Sequence, residues 1–258
     1  MKRNNLSNCC WLIIIISMLN ACAPNIQDYN STPNQKLAKT YAEIGKEHMQ
    51  DGRYDIALKK LKKALFLDKN NAYAHLYTAI LYYKYLESPN DKARQHFKKA
   101  LGLKPKDSFI LENYGQFLCE YGQWKQANKR FQQALKNPSS YDYREIPYSN
   151  AGLCALRHNK YHQAKIYFRK ALQKNPNFPR ALHHMAELTY KQKHYQQARH
   201  YLQRYDKIAK HTPKTLWLGV RIERALKNRE AEADYALSLL RHFPDSEETQ
   251  LLNQSKKP

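Results

Sequence analysis

Cysteine and histidine are the side chains through which this chain could do chemistry, and it carries five of the first and eleven of the second. Cys119 and Cys154 lie deep in the sequence and could form one disulfide in an oxidising compartment. The other three, Cys9, Cys10 and Cys22, crowd the N-terminus. His158 and His162 stand four residues apart, the spacing of two metal ligands on one helix face, but His158 falls at the turn between helices. No acid or cysteine completes that set in sequence, so solvated surface is the simpler reading. His183 and His184 are adjacent, and successive helical positions point to different faces, which separates them. The sequence holds no phosphate-cradling glycine loop, nucleophile elbow or zinc-protease helix motif. No catalytic residue, metal or cofactor is expected, and the chain reads as a non-enzyme.

The N-terminal cysteines have a different chemistry. Lys2 and Arg3 precede an apolar run from Trp11 to Leu19, too short to span a bilayer but suited to a signal peptide. The run ends in Leu19-Asn20-Ala21-Cys22, which matches the lipobox of bacterial lipoproteins. Cleavage after residue 21 would discard Cys9 and Cys10 and leave Cys22 as an acylated N-terminus. Its acyl chains would be the only non-protein group, and they make anchoring durable, at about 0.8 kcal/mol per buried CH2. Ala23, where inner-membrane lipoproteins carry Asp, implies by the same resemblance the periplasmic face of the outer membrane.

The formal net charge is +22, and residues 1–21 carry two cations and no acid, which leaves +20 on the mature chain. So basic a chain suggests nucleic acid, but the expected compartment argues against that partner. Lysines such as Lys59, Lys60, Lys62, Lys63, Lys98 and Lys99 are scattered as on solvated helix faces.

These side chains need a scaffold, and its period is legible. Residues 22–36 are polar, hold Pro24 and Pro33, and read as a tether. From Leu37 the sequence repeats about every 34 residues, the tetratricopeptide period. Small first-helix anchors fall at Gly45, Ala79, Gly115, Gly152, Ala186 and Gly219. Second-helix anchors are Ala57, Ala93, Ala127, Ala164, Ala198 and Ala231, followed four residues on by Leu61, Phe97, Phe131, Phe168, Leu202 and Tyr235. Small residues let two helices approach, and the larger side chain fills the gap. Pro105, Pro138, Pro176 and Pro244 close second helices by withholding a backbone donor. Tyr205 and Ser238 break the last small position in repeats five and six, as terminal caps do. The expected fold is an all-α, right-handed solenoid over residues 37–258. Its six repeats lie near 38–71, 72–107, 108–144, 145–178, 179–211 and 212–245, with extra residues at 86–90 and 139–146.

This frame makes two assignments. Cys119 and Cys154 fall on the first helices of neighbouring repeats, on faces that can meet, so a disulfide is expected. The concave surface takes first-helix positions that count from each small anchor: Lys39, Ala42, Lys46 and Met49 in repeat one, Tyr73, Leu76, Ile80 and Tyr83 in repeat two. An exposed apolar strip flanked by Lys39 and Lys46 would suit an amphipathic peptide. Repeats five and six offer the more polar Arg180, His183, Glu187, Tyr190 and Glu223.

Particular segments carry a further likeness. Asn113-Tyr114-Gly115-Gln116-Phe117-Leu118-Cys119 and Ser149-Asn150-Ala151-Gly152-Leu153-Cys154-Ala155-Leu156 resemble the cysteine-bearing core of the PilW/PilF pilotins, the type IV pilus biogenesis and stability lipoproteins. The likeness continues through Ala198–Tyr205, Leu216–Arg224 and Phe243–Ser246. The chain departs from that family in its lysine and histidine content and in Lys69, where a proline is expected. The resemblance implies a monomeric protein that binds the pilus secretin and promotes its outer-membrane localisation and multimerisation. Period and lipobox equally fit an adaptor for outer-membrane protein assembly or for peptidoglycan enzymes.

Overall fold

The computed structural model describes residues 31–86, 90–136 and 145–255. Among them are thirteen helices and no strand. The chain divides into two compact units, residues 1–99 and 100–258. The first holds α1 (Pro33–Gln50), α2 (Tyr54–Leu67), α3 (Ala72–Lys84) and most of α4 (Asn90–Leu103). The second holds α5 (Ser108–Glu120), α6 (Trp124–Lys136), α7 (Glu145–Arg157), α8 (Tyr161–Lys174), α9 (Pro179–Lys191), α10 (Tyr195–Asp206), α11 (Pro213–Ala225), α12 (Arg229–His242) and α13 (Glu247–Gln254). This is the expected all-α tetratricopeptide fold, in which α1 packs on α2, α5 on α6, α7 on α8, α9 on α10 and α11 on α12.

One turn builds five of these hairpins. A single residue takes a left-handed conformation: Gly52 at φ 75°, Gly122 at 74°, Asn159 at 57°, Lys193 at 61° and Lys227 at 58°. The amide after it reaches back to the first helix, from Arg53 to the His48 carbonyl at 2.9 Å and from Asn228 to that of Glu223 at 3.0 Å. These bonds occupy carbonyls that a helix end leaves orphaned. Glycine adopts the left-handed conformation freely, whereas the two lysines are held in it by the turn.

The joint between paired helices follows from the small anchors. A Cβ at Gly152 would lie 2.8 Å from the Phe168 ring, and one at Gly219 would lie 2.6 Å from that of Tyr235. Phe97, Phe117, Phe131 and Phe168 are fully buried. Helices α4, α8 and α12 end two residues before Pro105, Pro176 and Pro244. Helix α2 stops without a proline: the Asp68 carboxylate accepts from the Asn70 amide at 2.9 Å and turns the chain before Lys69 can extend the helix.

Two boundaries differ from expectation. Helix α1 begins at Pro33, inside the supposed tether, because Thr32 and Gln35 form a reciprocal capping box and proline suits a first helical position. At the other end α13 forms beyond the sixth repeat. Ser246 caps it, Glu247 and Glu248 occupy its first turn, and Leu252 is buried with Leu216, Val220, Ala236 and Leu239. Cys22, the lipobox and most of the residue 86–90 and 139–146 segments lie outside the described residues.

Candidate partner-binding surface

In the first unit the expected apolar strip is not on the surface. Leu76 is 0% exposed and Ile80 7%, while Ala42 and Met49 are also buried. Helix α3 packs against α1 and α2 and buries eight of its residues, so it is apolar on nearly every side and behaves as a core helix. Tyr73 and Tyr83 are half-buried and Lys39 is exposed. Lys46 pairs with Glu43 and lies 5.8 Å from the centre of the Tyr77 ring. What the surface offers instead is one face of α1, where Lys36, Lys39, Thr40, Glu43, Ile44 and Glu47 border a shallow depression of about 560 Å3.

In the second unit the first helices carry a polar chain. Glu112, buried on α5, accepts from Asn150 of α7 and from Gln116 at 3.3 Å, and Arg180 of α9 donates to Asn150 at 2.9 Å. Farther along, α9, α11 and α13 frame a hollow of about 410 Å3 whose lining includes His183, Glu187, Lys214, Trp217, Arg221 and Glu248. The Arg221 guanidinium lies 5.1 Å from the Tyr190 ring and 5.6 Å from that of Trp217. Trp217 and Arg221 lie off the first-helix positions expected to face the concave side, so the repeat period does not single them out. Glu223, expected among the lining residues, is buried and faces α10, where Arg199 grips it with two hydrogen bonds.

His183 and His184 do not diverge: their rings stack with centroids 4.8 Å apart. Rotation about each side chain closes the angle that the backbone opens. Burial lowers the His183 pKa to about 4. A hydrogen bond from His184, reinforced by Lys191, lowers that of Glu187 to about 2 against the opposing effect of burial.

Cys119 of α5 and Cys154 of α7 are joined by a disulfide, with S–S 2.10 Å and Cα atoms 5.8 Å apart. His158 donates from Nε2 to the Cys119 carbonyl at 3.1 Å, while His162 is exposed. Ligand atoms of Cys119, Cys154 and His158 lie within 4.8 Å of one another, but the sulfurs are bonded to each other and offer no thiolate.

Tetratricopeptide-repeat family profiles match residues 43–108 and 155–214. The chain is 32% identical over 216 residues to the type IV pilus assembly protein PilF of Pseudomonas aeruginosa, covering 84% of each. Superposition on a solved structure of that bacterium's PilF gives a TM-score of 0.78 at 31% identity, over 87% of this chain and 100% of the other. The crystal structure of PilW, a widely conserved type IV pilus biogenesis factor, gives 0.75 at 30%, over 83% of this chain and 97% of that one. With identity of this order sustained along both sequences, the chain belongs to the PilF/PilW family of tetratricopeptide-repeat proteins of type IV pilus biogenesis.

Proposed function

We propose that the protein is a non-catalytic scaffold that binds the pilus secretin, carries it to the outer membrane and promotes its multimerisation there. The observation that carries this reading is the near full-length likeness to PilF. A lipid on Cys22 supplies the membrane address, and helical repeats supply the protein-binding surface. The depression along α1, which Lys39 helps to line, and the half-buried Tyr73 and Tyr83 of α3 offer surface to a partner segment.

The test is a strain lacking the chain, complemented with wild type, Cys22→Ala, or Lys39→Glu combined with Tyr73→Ala and Tyr83→Ala. Secretin multimers should disappear in the deletion and return with wild type. Cys22→Ala should release the protein from the outer-membrane fraction. The triple variant should stay folded and anchored but lose secretin in a pull-down. Normal multimers in the deletion strain would overturn the proposal. A pull-down dominated by outer-membrane assembly or peptidoglycan-synthesis proteins would favour the adaptor reading instead.

A further inference from the structure

We propose that His75 and His96 form a binding site for a divalent transition metal, with Cu(II) the preferred ion. The two residues come from α3 and α4, twenty-one positions apart, and their Nδ1 atoms face each other at 2.9 Å. The ring centroids are 5.0 Å apart and the planes are tilted by 44°.

The tautomers follow from a third contact. His75 Nε2 lies 3.0 Å from the Lys69 carbonyl, and a carbonyl can only accept, so the His75 proton sits on Nε2. Its Nδ1 therefore presents a bare lone pair, to which His96 donates its own Nδ1–H. A backbone carbonyl that fixes the far nitrogen of an imidazole is the usual support of a metal-bound histidine. When an ion enters, the His96 proton moves from Nδ1 to Nε2 through water. Both Nδ1 lone pairs then bind the ion, and no net proton is lost.

The spacing suits one ion. Two nitrogens, each about 2.05 Å from a common metal, lie about 2.9 Å apart at a right angle and about 3.3 Å apart at a tetrahedral angle. The observed 2.9 Å is the hydrogen bond between the rings. Small rotations that turn both lone pairs off the N–N line let the two nitrogens share one ion near a right angle. That is the arrangement of tetragonal Cu(II) and Ni(II), and Cu(II) heads the affinity order of divalent first-row ions. Water would fill the remaining positions. Asp68 and Lys99 place opposite charges near His75, so neither sign dominates the approach of a cation. The Tyr82 ring, 5.9 Å from that of His96 and covered by Lys92 at 5.7 Å, flanks the pair. The other histidines are less suited: His183 and His184 stack face to face, and the groups nearest His158, Cys119 and Cys154, are joined in a disulfide and offer no thiolate.

The experiment titrates purified full-length protein with Cu(II), read by calorimetry and electron paramagnetic resonance. The tightest equivalent in wild type should show coupling to two imidazole nitrogens and should raise the thermal midpoint, since the ion ties α3 to α4. His75→Gln and His96→Gln should each weaken that equivalent by about a hundredfold or more, the upper range for disturbing even a supporting residue. Circular dichroism in chelator checks that both variants are folded. Coupling to fewer than two imidazoles in wild type would overturn the proposal without any variant. Identical Cu(II) isotherms in wild type and both variants would overturn it as well.

Discussion

Repeats three and four (α5–α8) and repeats five and six (α9–α12) share a hairpin but are secured by different chemistry. In α5–α8 glycine meets phenylalanine at each joint, Gly115 against Phe131 and Gly152 against Phe168, and a disulfide binds α5 to α7. In α9–α12 the corresponding partners are Leu202 and Tyr235, Tyr205 stands where α6 and α8 have alanine, and both phenols are used. Tyr205 donates to the Lys210 carbonyl at 2.9 Å and closes the turn between α10 and α11. Tyr235 donates to Asp206 at 2.7 Å, while His211 lies 3.3 Å from the same carboxylate. Arg199 spans α10 and α11 to reach Glu223.

Tyr205, which looks degenerate as repeat consensus, and the phenol of Tyr235 are thus polar attachments between successive hairpins. The covalent link in α5–α8 acts chiefly by restricting the unfolded chain and is indifferent to salt and pH. The polar links in α9–α12 depend on charge and on burial. Each repeat contacts only its neighbours, so the two pairs can lose stability separately.

The largest effect should come from the disulfide. Its cysteines are 35 residues apart, and opening a loop of that length should cost about 3–4 kcal/mol. Cys119→Ser with Cys154→Ser should speed hydrogen exchange across α5–α8 and leave α11–α13 near wild type. A loss below about 1 kcal/mol would mean that packing alone holds these repeats, and the contrast with α9–α12 would collapse.

Glu223→Gln should follow. Removing one partner of a buried ion pair costs about 3–5 kcal/mol. The Arg199 side chain keeps 24% exposure and can recover part of its hydration, which brings the expectation to about 2–3 kcal/mol. Arg199→Lys should lose part of this, because an ammonium cannot reproduce the two-pronged grip. Exchange should quicken in α10–α12 and stay unchanged in α5–α8. A uniform response over all these helices would show that the two pairs unfold together.

The fold was legible in this sequence because its determinants recur. Small anchors, large partners and prolines repeat about every 34 residues, and together they placed the helices and set Cys119 beside Cys154. Burial was harder to read. Leu76 and Ile80 occupy positions that line a groove in an isolated repeat, but α3 is apolar on nearly every side and its neighbours cover it. Position within a repeat fixes direction, not what the adjacent helix covers. Helix α13 has a local signal in Ser246-Glu247-Glu248, a cap followed by acids, but it lies outside the repeat period. The His75–His96 contact joins residues that no local motif links.

The smallest effect is the one that best separates charge from covalent attachment. Glu187 accepts from His184 at 3.4 Å and lies 3.1 Å from Lys191, and these partners hold its pKa near 2 instead of 4.5. A carboxylate depressed in the folded state stabilises the fold fully above its unfolded pKa and loses that contribution as pH falls. The window therefore runs from about pH 4.5 down to about 2. Glu187 is 32% exposed, so solvent screening reduces the contribution to about 1 kcal/mol. His183 titrates in a separate window. It faces His184, Glu187, Lys214 and the Tyr205 ring, and burial lowers its pKa from 6.5 to about 4. Its destabilisation grows as pH falls through that higher range, because the unfolded chain takes the proton first. Wild type and Glu187→Gln should hence both weaken from pH 6.5 to about 4.5, the variant somewhat more because it lacks the carboxylate that favours protonated His183, and then converge from about 4.5 to 2. The convergence should appear in exchange of α9 and be absent from α5–α8, where the disulfide does not titrate. Parallel curves down to pH 2 would show that the His184 and Lys191 contacts leave the proton affinity of Glu187 unchanged, and the charge-held character of α9 would go with them.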